Sequence, residues 1–360
     1  MTVDESRARG LMLGSALGDA AGALRGRWPA EGPLPIGVST QLAAFTAEGA
    51  IRASVRMNHR GISHAPSVVW HAYCRWAVLQ GIEPERISER WTAGGGSAWP
   101  DGWLVQVPGL GVRRGSAPAT VTALTGLIQG TPEKPVTGSR GAHALTRGLP
   151  LGLLWALSGA DDCALSVRRT AALTHGARDA QDAAVGAAQV VARCLTESDP
   201  ITAWTASSPG DGHPFDAVVR SLPMPHSATP ETVLDLLKAP GGSPDPGQLA
   251  WIAPDATASS ALLGALFVVS RLPGRDTVRA ALEFAAGAPD GSSVACTAGA
   301  LLGAAHGVGA LPAGLLSRLE LAWVIDTLAR DLLQEYVDSP GGGDYRPARD
   351  PLWWPRYPGW

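Results

Sequence analysis

Along this chain the apolar residues recur every three to four positions and almost nowhere alternate, the period of a helix packed on one face rather than of a strand. The segments APSVVWHAYCRWAVLQ (65–80), ATVTALTGLIQ (119–129) and GAHALTRGLPLGLLWALS (141–158) carry that period, and each is closed by a glycine, Gly81, Gly130 or Gly159. DDCALSVRRTAALTH follows with Asp161 or Asp162 as its cap, and the period returns over 178–195, 255–272, 274–288 and 317–336. The pattern predicts an all-α, compact multi-helix protein of roughly ten or more packed helices.

Two segments carry glycine at a spacing of four: Gly10, Gly14, Gly18 and Gly22 in the first, and Gly299, Gly303 and Gly307 in VACTAGALLGAAHGVG. Four-residue steps fall along one helix ridge, and missing side chains there let another backbone approach. Each interior glycine costs a helix about 1 kcal/mol relative to alanine. A tight contact must offset that, so these two helices are expected to pack on each other or on a common neighbour.

The pattern fails over 83–118, where TAGGGSAWPDGW and PGLGVRRGSAP are too rich in glycine and proline for regular structure. Long loops on compact domains are often functional. Thirteen tryptophans are many for 360 residues; those within helical patterns, such as Trp70, Trp76, Trp155 and Trp323, are expected in the core. Trp91, Trp99 and Trp103 lie in the irregular stretch, where stacking on a flat ligand and anchoring the loop are both open. After Asp338 the tail SPGGGDYRPARDPLWWPRYPGW is broken by proline; Trp353, Trp354 and Trp360 predict that it docks on the body or on a second subunit, with disorder as the alternative. No linker with a composition shift precedes it, so residues 1–338 read as a single domain and 339–360 as a tail.

Composition narrows the partner classes. Hydrophobic residues make up 45% and charged residues 17%, which suits a large buried core. A formal charge of −3 without a basic run argues against a nucleic-acid surface and favours a small-molecule ligand. Cys74, Cys163, Cys194 and Cys296 lie far apart within apolar patterns, as buried thiols in a reducing compartment do. No signal-type core or membrane-length apolar run is present, and the expectation is a cytoplasmic protein.

RARGLMLGSALGDAAGAL at 7–24, Thr40-Gln41 before the helix LAAFTAEGAIRA, Ser139-Arg140-Gly141, Thr174-His175-Gly176 and Asp290-Gly291-Ser292-Ser293 occur in an order that resembles the ADP-ribosylglycohydrolase family. The resemblance spans most of the chain, to the helix ending near Leu333. It implies an all-α fold and two Mg²⁺ or Mn²⁺ ions held by a Thr-Asp-Asp cluster and a later Asp-x-Asp-Ser/Thr cluster, with a glutamate that helps activate water. Two adjacent hard cations need several carboxylate oxygens. Here Gly37, Val38 and Ser39 stand at the first cluster, Ser292 replaces an aspartate of the second, and Gly26 stands at the glutamate position. Thr40, Asp290 and Ser293 are what remains of the metal set. Asp290 suits an N-cap as well as a residual ligand. Asp19 suits a hydrogen-bond acceptor as well as a rescuing carboxylate, Glu31 is also near, and Glu48 lies about two turns too far along its helix.

The ligand cradle is better kept. The resemblance makes Ser139, Arg140 and Gly141 a loop whose amides hold phosphate, and places His175 beside the ligand. His143 stands where the family carries glycine and narrows the cleft, while Pro118 and Ala119 replace a polar Gly-Asn-Thr pattern. With Trp103 as a stacking face, the expected protein has lost dinuclear-metal glycosidic hydrolysis, uses no cofactor, with Mg²⁺ or Mn²⁺ as the alternative, and binds an ADP-ribose-like or other small ligand in the old cleft. The alternatives are a repurposed metal-independent enzyme and a residual ADP-ribosyl glycohydrolase.

Overall fold

The computed structural model describes residues 3–92, 99–208, 211–239, 242–343 and 346–359, and among these the regular elements are helices, with isolated bridges but no strand. The first half of the chain forms α1 (Glu5–Ala23), α2 (Val38–Arg60), α3 (Ala65–Leu79), α4 (Pro84–Thr92), α5 (Pro118–Gly126), α6 (His143–Thr146), α7 (Leu151–Ser158), α8 (Ala160–Ala172) and α9 (Arg178–Thr196). The second half forms α10 (Pro200–Ala206), α11 (Pro214–Arg220), α12 (Pro230–Lys238), α13 (Pro246–Ile252), α14 (Ala258–Arg271), α15 (Val278–Ala285), α16 (Gly291–His306), α17 (Ala313–Leu316), α18 (Ala322–Asp338) and α19 (Trp353–Arg356).

The two glycine helices meet directly. A Cβ on Gly10 would collide with the backbone of Gly303, one on Gly14 with Gly299, one on Gly18 with Ala295, and one on Gly22 with Ser292. The partner number falls by about four as the α1 number rises by four, so α1 and α16 run antiparallel with their backbones in contact. Both helices are almost wholly buried, and α2, α9, α14, α15 and α18 pack around them. This contact puts the last turn of α1, with Asp19, beside the first turn of α16, with Asp290.

Several elements differ from the pattern reading. The segment 141–158 breaks into α6 and α7 around Gly148 and Pro150, and α8 takes Gly159 rather than an aspartate at its N-cap. Within 83–118 the chain forms α4 and two 3₁₀ turns, Leu104–Gln106 and Pro108–Gly111. The helices α10 to α13, which the period did not reveal, each start with proline after a residue whose side chain accepts from the first turn: Asp199, His213, Thr229 and Asp245. Helices of seven to nine residues span about two turns, too few for a 3.6-residue period to stand out.

The described part of the tail is docked. Trp353 and Tyr357 are buried; Trp353 Nε1 donates to Glu335 at 2.9 Å and Tyr357 Oη to Asp331 at 2.6 Å, both on α18. Arg52 of α2 donates to the Pro358 carbonyl at 2.9 Å, and Trp354 meets the His59 ring edge-on at 4.9 Å. Trp360 lies outside the described residues. Cys74, Cys194 and Cys296 are buried and Cys163 is half-buried, all four as free thiols.

The α1–α16 contact predicts that Gly303→Ala lowers unfolding free energy by about 3 kcal/mol or more, because the new methyl meets the Gly10 carbonyl rather than a side chain that can move. Gly126→Ala, whose Cβ meets only Ile128 at 3.8 Å, should stay within about 1 kcal/mol of the parent. Urea unfolding of both variants checks the contrast; equal stability of the two would contradict the packing account.

Candidate functional site

A cavity of about 750 Å³ opens where the end of α1 and the first turns of α2 and α16 converge, bordered by the 113–118 loop and by Gly141 to His143. At its base lies the Asp19 carboxylate, 2% exposed. Its Oδ2 accepts from Gly37 N at 2.9 Å, Thr40 N at 3.0 Å and Thr40 Oγ1 at 2.6 Å. Gly37 is the N-cap of α2 and has no side chain to cap it, so Asp19 caps α2 from the neighbouring helix. Burial pushes the Asp19 pKa up, the Thr40 and Gly37 hydrogen bonds pull it down, and nearby Asp290 adds to the rise. Asp290 caps its own helix, its Oδ1 accepting from Ser293 N at 3.4 Å.

These residues do not fit a pair of hard divalent ions. Among the described residues no group of three or more His, Cys, Asp or Glu side chains is placed to hold a metal. The Val38 isopropyl and the Ser39 hydroxyl, which accepts from Thr146 Oγ1 at 3.1 Å, occupy the positions of the first cluster. Thr40 turns its hydroxyl to Asp19 rather than into the cavity. The surroundings leave no room for larger side chains at two neighbouring positions. A Cβ on Gly37 would collide with the Asp19 carboxylate, and Gly26 has φ +70° with Glu283 O 2.9 Å from its Cβ position, so a glutamate there would be strained and crowded. Glu48 is buried on α2 in ion pairs with Arg75 at 2.6 Å and Arg52 at 3.5 Å, away from the cavity.

The cradle residues separate. Gly141 and His143 line the cavity. Ser139 Oγ accepts from Gly141 N at 3.2 Å, Ser139 N donates to Thr137 Oγ1 at 3.2 Å, and Ala142 N donates to Ala256 O at 3.0 Å. The loop therefore has fewer free amides for a phosphate than its sequence suggests. Arg140 turns outward to Asp179 at 2.5 Å. His175, 1% exposed, lies behind Gly141 with Nδ1 2.7 Å from Thr174 Oγ1, and burial drives its pKa well below the usual range. It supports the wall rather than forming it. His143 has no hydrogen-bond partner among the described residues, and burial, with Arg147 adding, pushes its pKa down to about 4 against the pull of Asp290. It is a neutral imidazole facing the cavity.

The loop tryptophans stand elsewhere. Trp103 packs on Trp323, ring centroids 6.0 Å apart, and neither lines the cavity. Trp323 is 60% exposed, not in the core, because it sits in the first turn of α18 on its outer face. Trp91 and Trp99 surround His71, with Trp99 Nε1 donating to His71 Nε2 at 2.7 Å, beside a second cavity near the C-terminal end of α2. That favours loop anchoring over stacking on a ligand in the cleft.

Sequence reasoning missed Arg113 and Arg114, which border the cavity. Their position follows from Gln41, fully buried in the first turn of α2. Its Nε2 donates to Val112 O at 2.8 Å and its Oε1 accepts from Trp76 Nε1 at 3.3 Å, pinning the loop just before the arginines. Arg114 then pairs with Glu320 at 2.7 Å. The signal lay in the Arg-Arg pair within an otherwise uncharged Gly/Pro loop.

The starts of α2 and α16 thus converge on one cavity beside a glycine-packed pair of helices in an all-α scaffold. The ADP-ribosylglycohydrolase family model matches residues 1–341, and the chain belongs to that family. A solved structure described as an ADP-ribosylglycohydrolase-related protein complex superposes with a TM-score of 0.56 at 21% identity, covering 92% of this chain and 99% of the other, a likeness of fold. No curated protein matches the chain.

If Asp19 serves the helix, Asp19→Ala should lower stability by about 2 kcal/mol or more, because two amides and a hydroxyl lose their acceptor. The loss should be equal in EDTA and in millimolar Mg²⁺; a loss seen only with metal would assign Asp19 to ion binding. For His143, the neutral form should persist on acidification. Its imidazole resonance is expected to titrate near pH 4, and a midpoint near the ordinary 6.5 would contradict the burial that holds it neutral.

Proposed function

We propose that this protein keeps the ADP-ribosylglycohydrolase scaffold, has lost dinuclear-metal glycosidic hydrolysis, and binds a nucleotide-like or other small ligand in the former cleft. The observation that carries the reading is Asp19. The carboxylate best placed for an ion has one oxygen engaged by three donors of α2, while Val38 and Ser292 supply no charge beside it. Hard cations lose too much hydration to enter such a site without anionic oxygens to replace it. The four free thiols and the lack of any helix among the described residues long and apolar enough to cross a membrane are consistent with action in the cytoplasm.

A second reading, a metal-independent reaction in the same cleft, is favoured by His143. Its imidazole borders the cavity with no hydrogen-bond partner among the described residues and can hydrogen-bond a bound group or an attacking water; burial pushes its pKa down to about 4, and a bound anion beside it would have to raise that before it could serve as a base.

Isothermal titration with Mg²⁺ and Mn²⁺ should give no stoichiometric binding, and ADP-ribose should raise the melting temperature equally in EDTA and in metal. Tight binding of two ions would overturn the proposal. Turnover of an ADP-ribosyl substrate in EDTA that His143→Gln abolishes would favour the second reading.

A further inference from the structure

The second cavity, of about 730 Å³ at the C-terminal end of α2, has an aromatic wall. Trp91 and Trp99 both pack on the His71 ring, with centroids 4.3 Å and 5.8 Å from it. Trp99 Nε1 donates to His71 Nε2 at 2.7 Å, so that nitrogen carries no hydrogen. Burial, with Arg75 adding, pushes the His71 pKa down to about 3 against the pull of Asp101, and the ring is neutral. The three rings make an uncharged wall fixed by a hydrogen bond, and Val68 and the exposed Ile62 extend it with aliphatic surface.

The charges around this cavity do not balance. Asp101, which lines it, pairs with Arg52 at 2.5 Å and Arg75 at 3.4 Å, and the same two arginines pair with the buried Glu48 at 3.5 Å and 2.6 Å. Two carboxylates and two guanidiniums answer one another there. Arg56, one turn beyond Arg52 on α2, is half-buried, lines the cavity and has no carboxylate partner among the described residues. Its Nη1 donates to the Gly359 carbonyl at 3.2 Å, and the tail backbone lies against it, since a Cβ on Gly359 would come within 3.0 Å of the Arg56 Cα. The docked tail therefore fixes this arginine while leaving it a surplus charge. The Ser63 hydroxyl, of another lining residue, is buried without a hydrogen-bond partner among the described residues.

We propose that this second cavity binds a small planar aromatic carboxylate, its ring on the wall of Trp91, His71 and Trp99 and its carboxylate on Arg56. Apolar, aromatic-lined cavities of this size with a few polar groups hold small ligands, and offset ring contacts favour a flat aromatic one. A guanidinium fork matches a carboxylate, and the unpartnered Ser63 hydroxyl adds a donor at the same end. An aromatic cation suits the cavity less, because Asp101 already has two arginines. The cavity shares no lining residue with the cleft of Asp19 and Asp290, so this inference and the reading of the cleft stand or fall separately.

Calorimetric titration of 2-naphthoate, the uncharged 2-naphthamide and the non-aromatic cyclohexanecarboxylate into the parent, Arg56→Gln and Trp99→Leu tests it. One 2-naphthoate is expected to bind the parent, and the other two compounds should bind about tenfold more weakly or less. Arg56→Gln should remove the preference for 2-naphthoate over 2-naphthamide, and Trp99→Leu should weaken both naphthyl compounds. The preference is a ratio within one protein, so it is read even if a variant is less stable. Saturating ADP-ribose should leave the 2-naphthoate affinity unchanged. No binding of 2-naphthoate to the parent, an undiminished preference in Arg56→Gln, or displacement by ADP-ribose, which would put the compound in the cleft, would each overturn the inference.

Discussion

The backbone contact between α1 and α16 is the constraint on which the rest of the site depends. Four glycines on one helix and small residues on the other bring two buried helices closer than side chains would permit. Because the helices are antiparallel, the same contact that builds the core also sets the end of α1 against the start of α16. Asp19 and Asp290 are therefore brought to one cavity by packing, whatever either residue does there. Loosening the contact by one methyl would disturb both the core and the cleft.

Within that frame the carboxylates of the cleft serve the helix ends. Asp19 gives an oxygen to the N-terminus of α2, which Gly37 leaves without a cap of its own. Gly37 cannot be larger because Asp19 lies against it, and Gly26 is held at a positive φ over the Glu283 carbonyl. The two positions are thus constrained by the surrounding backbone as well as by their own residue types. Arg113 and Arg114 of the loop border the same cavity, Arg114 paired with Glu320.

The helical architecture and the glycine contact were legible because long amphipathic segments and four-residue glycine spacing are strong, local signals. Short helices with proline starts between Asp199 and Ile252 were not, since two turns show no period. Gly141 and His143 were readable from motif order. Trp103 was not, because nothing in a loop sequence says which side it presents, and it packs on Trp323. The Ser139 loop looked like an exposed amide cradle, yet the hydroxyls and carbonyls that occupy those amides come from Thr137 and Ala256 as well as from the motif. Arg113 and Arg114 depend on Gln41 and Glu320, contacts that only the fold brings together.

The central claim is that the cavity between Asp19 and Asp290 is organised without a metal pair. Its most direct test is anomalous diffraction at the manganese edge from crystals equilibrated with millimolar Mn²⁺. The account predicts no anomalous peak in the cavity, with Asp19 still bonded to Gly37 and Thr40; two peaks a few ångströms apart, with Asp19 turned away from α2 to meet them, would contradict it.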